Sequence, residues 1–174
     1  MTDLRYPIGR FEPVKTLTPE QRGACIEQIA AAPGHLRRAV DGLTDAQLET
    51  PYRPDGWTVR QVVHHIPDSH LNAYTRFKLA LTEDVPTIKT YEEKGWAETT
   101  EARTAPIDVS LALLDALHRR WVLLLRAMEP GDFARLLRHP ESGTPSLDGM
   151  LALYAWHGRH HVAHITSLRQ RMRW

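Results

Sequence analysis

In "SLALLDALHRRWVLLLRAM", within Asp108 to Met128, apolar residues recur so densely at three- and four-residue spacing that the stretch reads as a helix buried at the centre of a helical protein. Three other stretches share that period. The first opens at "TLTPEQ", where Thr18 caps, Pro19 suits the first helical position and Gln21 completes a capping box. Its stripe is Ile26, Ile29, Leu36, Val40 and Leu43, and Pro33 with Gly34 is expected to bend or interrupt it. The second starts at Thr58, again with a capping box to Gln61, and carries Val62, Ile66, Ala73, Phe77 and Leu81, with a kink expected at Pro67. The last covers Ser146 to Met172. A short helical turn, "TDAQLE", and the loop "TPYRPDGW" join the first two. From Asp84 to Pro106 no period is sustained, which reads as a long loop or lid anchored by Tyr91 and Trp96. With no strand pattern and no internal repeat, the expectation is an all-α four-helix bundle, one domain over residues 1–174.

A chain of 174 residues can bury a continuous core without disulfides or a structural metal. Its 22 basic and 21 acidic residues leave a formal charge of +1, which argues against nucleic acid as a partner and leaves small molecules open. Cys25 is the one cysteine, so no disulfide framework or CxxC pair exists, and a reducing, cytoplasmic setting is expected. No apolar run reaches the length of a membrane span, and "MTDLRYPIGRFEP" lacks a signal-peptide core.

Four of the ten histidines fall in "YAWHGRHHVAHIT" on the last helix. At about 100° per residue, His157, His160, His161 and His164 share one face with Leu151, Tyr154, Ile165 and Leu168, so they point into the bundle. Two i, i+4 pairs result, His157 with His161 and His160 with His164, and either spacing lets two imidazoles meet one ion. Further ligands must come from a facing helix, where "VVHHIPDSH" supplies His64, His65, Asp68 and His70. His65 lies at the edge of the core stripe and His64 about 100° further round, which favours His65. Asp68, three residues on, is either a carboxylate that orients a ligand or a solvated charge. His35, His118 and His139 stand alone and read as surface or packing residues. Trp57, Tyr91, Trp96, Tyr154 and Trp156 read as core first and pocket walls second, and Arg60, Arg76 and Arg159 as solvated charges first and carboxylate-binding groups second.

Three neutral imidazoles suit one zinc ion, and also nickel or iron, and leave coordination positions open for chemistry. Water activated on the ion could attack an electrophile, or a substrate thiol could ionise there and attack as a thiolate. Periodicity does not choose between the two histidine pairs or between the two chemistries.

The segments "YPIGRFEP", "TPYRPDGWTVRQVVHHIPDSH", "RFKLALTE", "YEEKGW", "SLALLDALHRRW" and "LALYAWHGRHHVAHIT" resemble the YfiT branch of the DinB superfamily over nearly the whole chain. That resemblance implies an up-down-down-up four-helix bundle, with a metal held by one histidine of the second helix and an HxxxH pair near the C-terminus. Carried over by motif, these are His65, His160 and His164, which leaves His161, or His157, as a proton relay. It further implies a homodimer and either hydrolase activity or S-transfer from a low-molecular-weight thiol such as bacillithiol or mycothiol. The expected activity is thiol transfer to a small electrophile, with metal-dependent hydrolysis as the alternative and a non-catalytic metal-binding module as the third reading.

Overall fold

Three of the helices begin with the same reciprocal cap, in which a threonine hydroxyl accepts the N–H of a glutamine three residues on and that glutamine's side chain accepts the threonine N–H: Thr18 with Gln21, Thr44 with Gln47 and Thr58 with Gln61. In the computed structural model, which describes residues 3–174, the elements are α1 (Pro19–Val40), α2 (Asp45–Leu48), α3 (Val59–Thr82), α4 (Glu93–Ala97), α5 (Thr100–Thr104), α6 (Ile107–Ala127), a 3₁₀ turn (Asp132–Ala134) and α7 (Leu147–Met172). The stretch expected to be one long loop is thus partly helical, because Thr99 caps α5 through the N–H of Ala102 and α4 closes one turn beside it. Neither Pro33 nor Pro67 interrupts its helix, so of the bend or interruption expected at Pro33 the interruption does not occur. Each is buried, and packing around it outweighs the one helical hydrogen bond it forfeits.

The long helices α1, α3, α6 and α7 form the bundle, and side-chain contacts set their directions. Arg60 reaches the Ala105 carbonyl at 2.9 Å, His64 meets Ser110 Oγ at 2.7 Å and His70 meets His118 at 2.7 Å, so α3 and α6 run parallel. Arg22 binds Asp148 at 2.7 Å and Arg169 reaches the Ala39 carbonyl at 3.0 Å, so α1 and α7 are parallel too. Across the bundle the order reverses: Glu27 pairs with Arg126 while Ile29 meets His118, and His65 meets His157 while Arg76 meets Tyr154. The topology is up-down-down-up, and α3 to α6 can run parallel because the α4–α5 segment carries the chain back along the bundle.

Two apolar clusters fill the interior. One contains Phe77, Trp121, Leu147 and Leu151, the other Leu36, Val62, Ile66, Leu114 and Ile165. On α3, α6 and α7 the histidines His70, His118 and His157–His164 fall between the residues of these clusters, so the bundle carries a polar layer between two apolar ones. No helix among the described residues is long and apolar enough to cross a membrane.

Candidate metal centre

The donors that converge among the described residues are those of His65 on α3 and of His157 and His161 on α7, one nitrogen from each lying within 4.8 Å of the others. His65 Nε2 and His157 Nε2 are 3.4 Å apart. Two nitrogens bound at about 2.0–2.1 Å to one tetrahedral ion stand roughly 3.3 Å apart, so this separation suits a shared ion without rearrangement. His161 Nδ1 is buried with no hydrogen-bond partner, a polar atom left for a ligand to satisfy. The Trp57 ring covers the cluster, 4.7 Å from His65 and 6.5 Å from His161.

His160 and His164, the pair that the family resemblance implies, do not join this group. Position 160 is turned about 60° from 157 around the helix, and position 164 lies one turn further toward the start of α3. His160 stacks on Trp156 at 4.2 Å, with Tyr6 at 6.0 Å. His164 stacks on Tyr52 at 4.0 Å and donates through Nε2 to the Arg5 carbonyl at 3.1 Å, pinning the N-terminal segment across the bundle. Of the two pairs left open by spacing, it is His157 and His161 whose nitrogens converge with that of His65, so His161, expected as a proton relay, lies within the cluster.

The remaining expectations sort by contact. His64 donates through Nε2 to the Ala105 carbonyl at 3.1 Å and accepts from Ser110 Oγ at 2.7 Å, which ties α3 to α6 away from the cluster. Arg60 is buried in ion pairs with Glu49 at 2.6 Å and Asp45 at 3.2 Å, and Arg76 is buried against Tyr154, so neither is the solvated charge expected; Arg159 is exposed. Burial and the nearby Glu101 carboxylate push the Asp68 carboxyl up to about 6, and His157 Nδ1 is hydrogen-bonded to His70 Nε2 rather than to this carboxylate. His118, expected to be an ordinary packing residue, is buried and bonded to both His70 and the Ile29 carbonyl. Its place in the middle of the most apolar helix was the available signal, since a lone imidazole there requires partners.

Burial holds these rings neutral. It pushes His65, His118 and His160 down to about 4, with His164 adding to the effect at His65 and at His160, and it lowers His70, His157, His161 and His164 as well. Neutral imidazoles keep a lone pair and present no proton for a metal to displace at pH 7. The same burial makes the metal-free fold sensitive to acid. Above about pH 6.5 the rings are neutral in both folded and unfolded chains; below it the unfolded chain takes up protons that the buried rings refuse, His65, His118 and His160 until about pH 4, so stability is lost as pH falls below about 6.5. Each such ring contributes a slope of about 1.4 kcal/mol per pH unit. Thermal melts of chelator-treated protein followed by circular dichroism should fall by several degrees between pH 7 and pH 5, and a flat melting temperature over that range would contradict this account.

The cluster opens to a cavity of about 630 Å³ lined by Tyr52, Trp57, His160, His161 and His164. Arg5, Arg53 and Lys94 on its walls are matched by Asp55, Glu93 and Glu98, a mixed-charge surface suited to a small polar molecule.

Residues 28–165 match the DinB superfamily. A protein of Bacillus mycoides (strain KBAB4) bearing the name "Putative metal-dependent hydrolase" is 56% identical over the full length of both chains, and one of Bacillus cereus (strain B4264) with the same description is 54% identical, again over both full lengths. The solved structure of YfiT from Bacillus subtilis, described as "a probable metal-dependent hydrolase with an unusual four-helix bundle topology", superposes with a TM-score of 0.97 at 48% identity, covering 99% of each chain. A second solved four-helix bundle protein, TT2238, shares the fold alone, with a TM-score of 0.56 at 20% identity over 81% of this chain and 94% of its own. Fold, helix order and full-length similarity agree: the chain belongs to the DinB superfamily.

Proposed function

We propose that the chain is a metal-dependent hydrolase of small polar substrates, with His65, His157 and His161 as its metal ligands. The observation that carries this reading is the convergence of three imidazoles, two of them 3.4 Å apart through Nε2, beside a cavity of about 630 Å³ that the third, His161, lines. Three neutral nitrogen donors suit zinc best, with nickel and iron as the other ions of matching preference. Such an ion supplies Lewis acidity, which polarises a substrate oxygen and activates water as a nucleophile near neutral pH. The protein's own groups do the rest. Trp57 shields the faces of His65 and His161 and limits water to the cavity side. His160 and His164 line that cavity with buried Nδ1 atoms lacking partners, and those nitrogens are placed to hydrogen-bond a substrate or water bound there.

The names of the relatives support hydrolysis ahead of the thiol transfer expected from sequence, and water-only turnover is the discriminating measurement. Zinc-loaded protein should hydrolyse members of an ester and amide panel with no thiol present. Chelation should lower that rate more than about 100-fold while leaving the helical circular dichroism intact, because a core of this size folds without metal. A rate that appears only with added thiol and saturates in it would replace hydrolysis with thiol transfer.

A further inference from the structure

His157 is only partly buried as a residue, yet its ring sits among those of His65, His70, Tyr154 and His161, and its Nδ1 lies 3.1 Å from His70 Nε2. His70 Nδ1 in turn lies 2.7 Å from His118 Nε2, and His118 Nδ1 lies 2.6 Å from the Ile29 carbonyl oxygen. Three imidazoles from three helices thus form an unbroken line ending on the backbone of a fourth.

The polarity of that line follows from its end. A carbonyl only accepts, so His118 Nδ1 carries hydrogen. A neutral His118 then has a lone pair on Nε2, which obliges His70 to donate from Nδ1 and leaves the lone pair on His70 Nε2. His157 must donate to it from Nδ1, so its Nε2, the atom facing His65, bears a lone pair. Reversing the line would require hydrogens on both nitrogens of His118, a cation on a residue 1% exposed. The rings are arranged for this: His70 and His118 lie 11° from coplanar, which aims the N–H along the acceptor's in-plane lone pair, and Tyr154 and Trp121 hold His70 edge-on at 5.3 and 5.8 Å.

Two small features of the sequence make the line possible. Pro33 has no N–H for the Ile29 carbonyl four residues before it, so the oxygen that His118 uses is the one the helix leaves without its usual donor. Gly158 lets α7 close on α1, since a β-carbon there would sit 3.3 Å from the Ala32 β-carbon and 3.6 Å from His70 Cε1.

We propose that His118 and His70 are positioning residues: they form an imidazole relay, anchored on the Ile29 carbonyl freed by Pro33, that fixes His157 as the Nδ1–H tautomer and presents its Nε2 lone pair to the metal. The proposal rests on the metal site proposed above. It extends the support usually given to a ligand histidine by one carboxylate or carbonyl across two further rings.

The test begins with metal-free protein, in which the imidazole nitrogens are assigned by ¹⁵N NMR. His118, His70 and His157 should each show a protonated Nδ1 and an unprotonated Nε2, and an Nε2–H form at His70 or His157 would overturn the relay. Zinc alone is then titrated into the variants. His70→Leu should weaken binding about 10–100-fold and let His157 populate both tautomers, whereas His70→Gln, whose amide oxygen can accept from His157, should recover most of the affinity. Equal affinities in the two variants would also overturn the relay. Failure of the metal reading looks different, because a wild-type chain that takes up no zinc while showing the expected tautomers removes the metal site and leaves the relay in place.

Discussion

Alanine at His65, His157 or His161 should each weaken zinc binding more than about 100-fold, beyond the 10–100-fold typical of a supporting residue, whereas His160→Ala and His164→Ala should leave affinity within a few-fold of wild type. The asymmetry follows from where the rings point. Losing one of three convergent donors removes a coordinate bond and leaves two ligands, too few to compete with water for the ion. His160 and His164 instead spend their contacts on Trp156, Tyr52 and the Arg5 carbonyl, so their loss should loosen the N-terminal segment and alter the cavity wall. Turnover by those two variants should therefore fall with metal content unchanged. Competition titration with a zinc-binding dye measures the affinities directly. A His160→Ala or His164→Ala protein that has lost zinc, beside a His157→Ala protein that keeps it, would reverse the assignment.

Sequence periodicity locates the bundle and narrows the site to two helices, because caps and apolar stripes are local properties. Choosing between the histidine pairs needs a longer-range fact, the axial register of α7 against α3. That register places His65 level with positions 157 and 161 and leaves 164 beside Tyr52, and nothing in the spacing of either helix encodes it. In a segment where two HxxxH patterns overlap, motif resemblance points to His160 and His164, whereas the nitrogens that lie near that of His65 are those of His157 and His161. The relay is hidden for a related reason: His70 and His118 lie on different helices and become partners only when α3 and α6 run parallel. Pro33 reads locally as a helix breaker, its usual meaning, whereas in the packed bundle α1 continues through it and the carbonyl it releases finds a partner on α6.

The second large effect expected lies away from the histidines, where Asp148→Ala should lower stability by about 3–5 kcal/mol, the range for removing one partner of a buried ion pair. Asp148 is 1% exposed in the first turn of α7. Its two oxygens take a bidentate pair of hydrogen bonds from Arg22, at 2.7 and 2.8 Å, and one also accepts the Leu17 N–H at 3.0 Å. Those contacts lock the N-terminal ends of two parallel helices together, and the carboxylate also sits where the helix dipole favours negative charge. Alanine would leave the Leu17 N–H without its acceptor and strip Arg22, 15% exposed and resting on the Phe133 ring, of its counter-charge. For a chain of this length each kcal/mol shifts the melting temperature by about 2–4 °C, so a drop of roughly 6–20 °C is expected, with Asp148→Asn losing less because one acceptor oxygen survives. Zinc affinity of the folded variant should stay within a few-fold of wild type, since nine residues of helix, about 13 Å, separate position 148 from His157. Circular dichroism melts paired with zinc titration test both halves: a melting temperature within about 2 °C of wild type would show that the clamp adds little, and a parallel loss of zinc would show that the ends of α1 and α7 help set the register on which the three histidines depend.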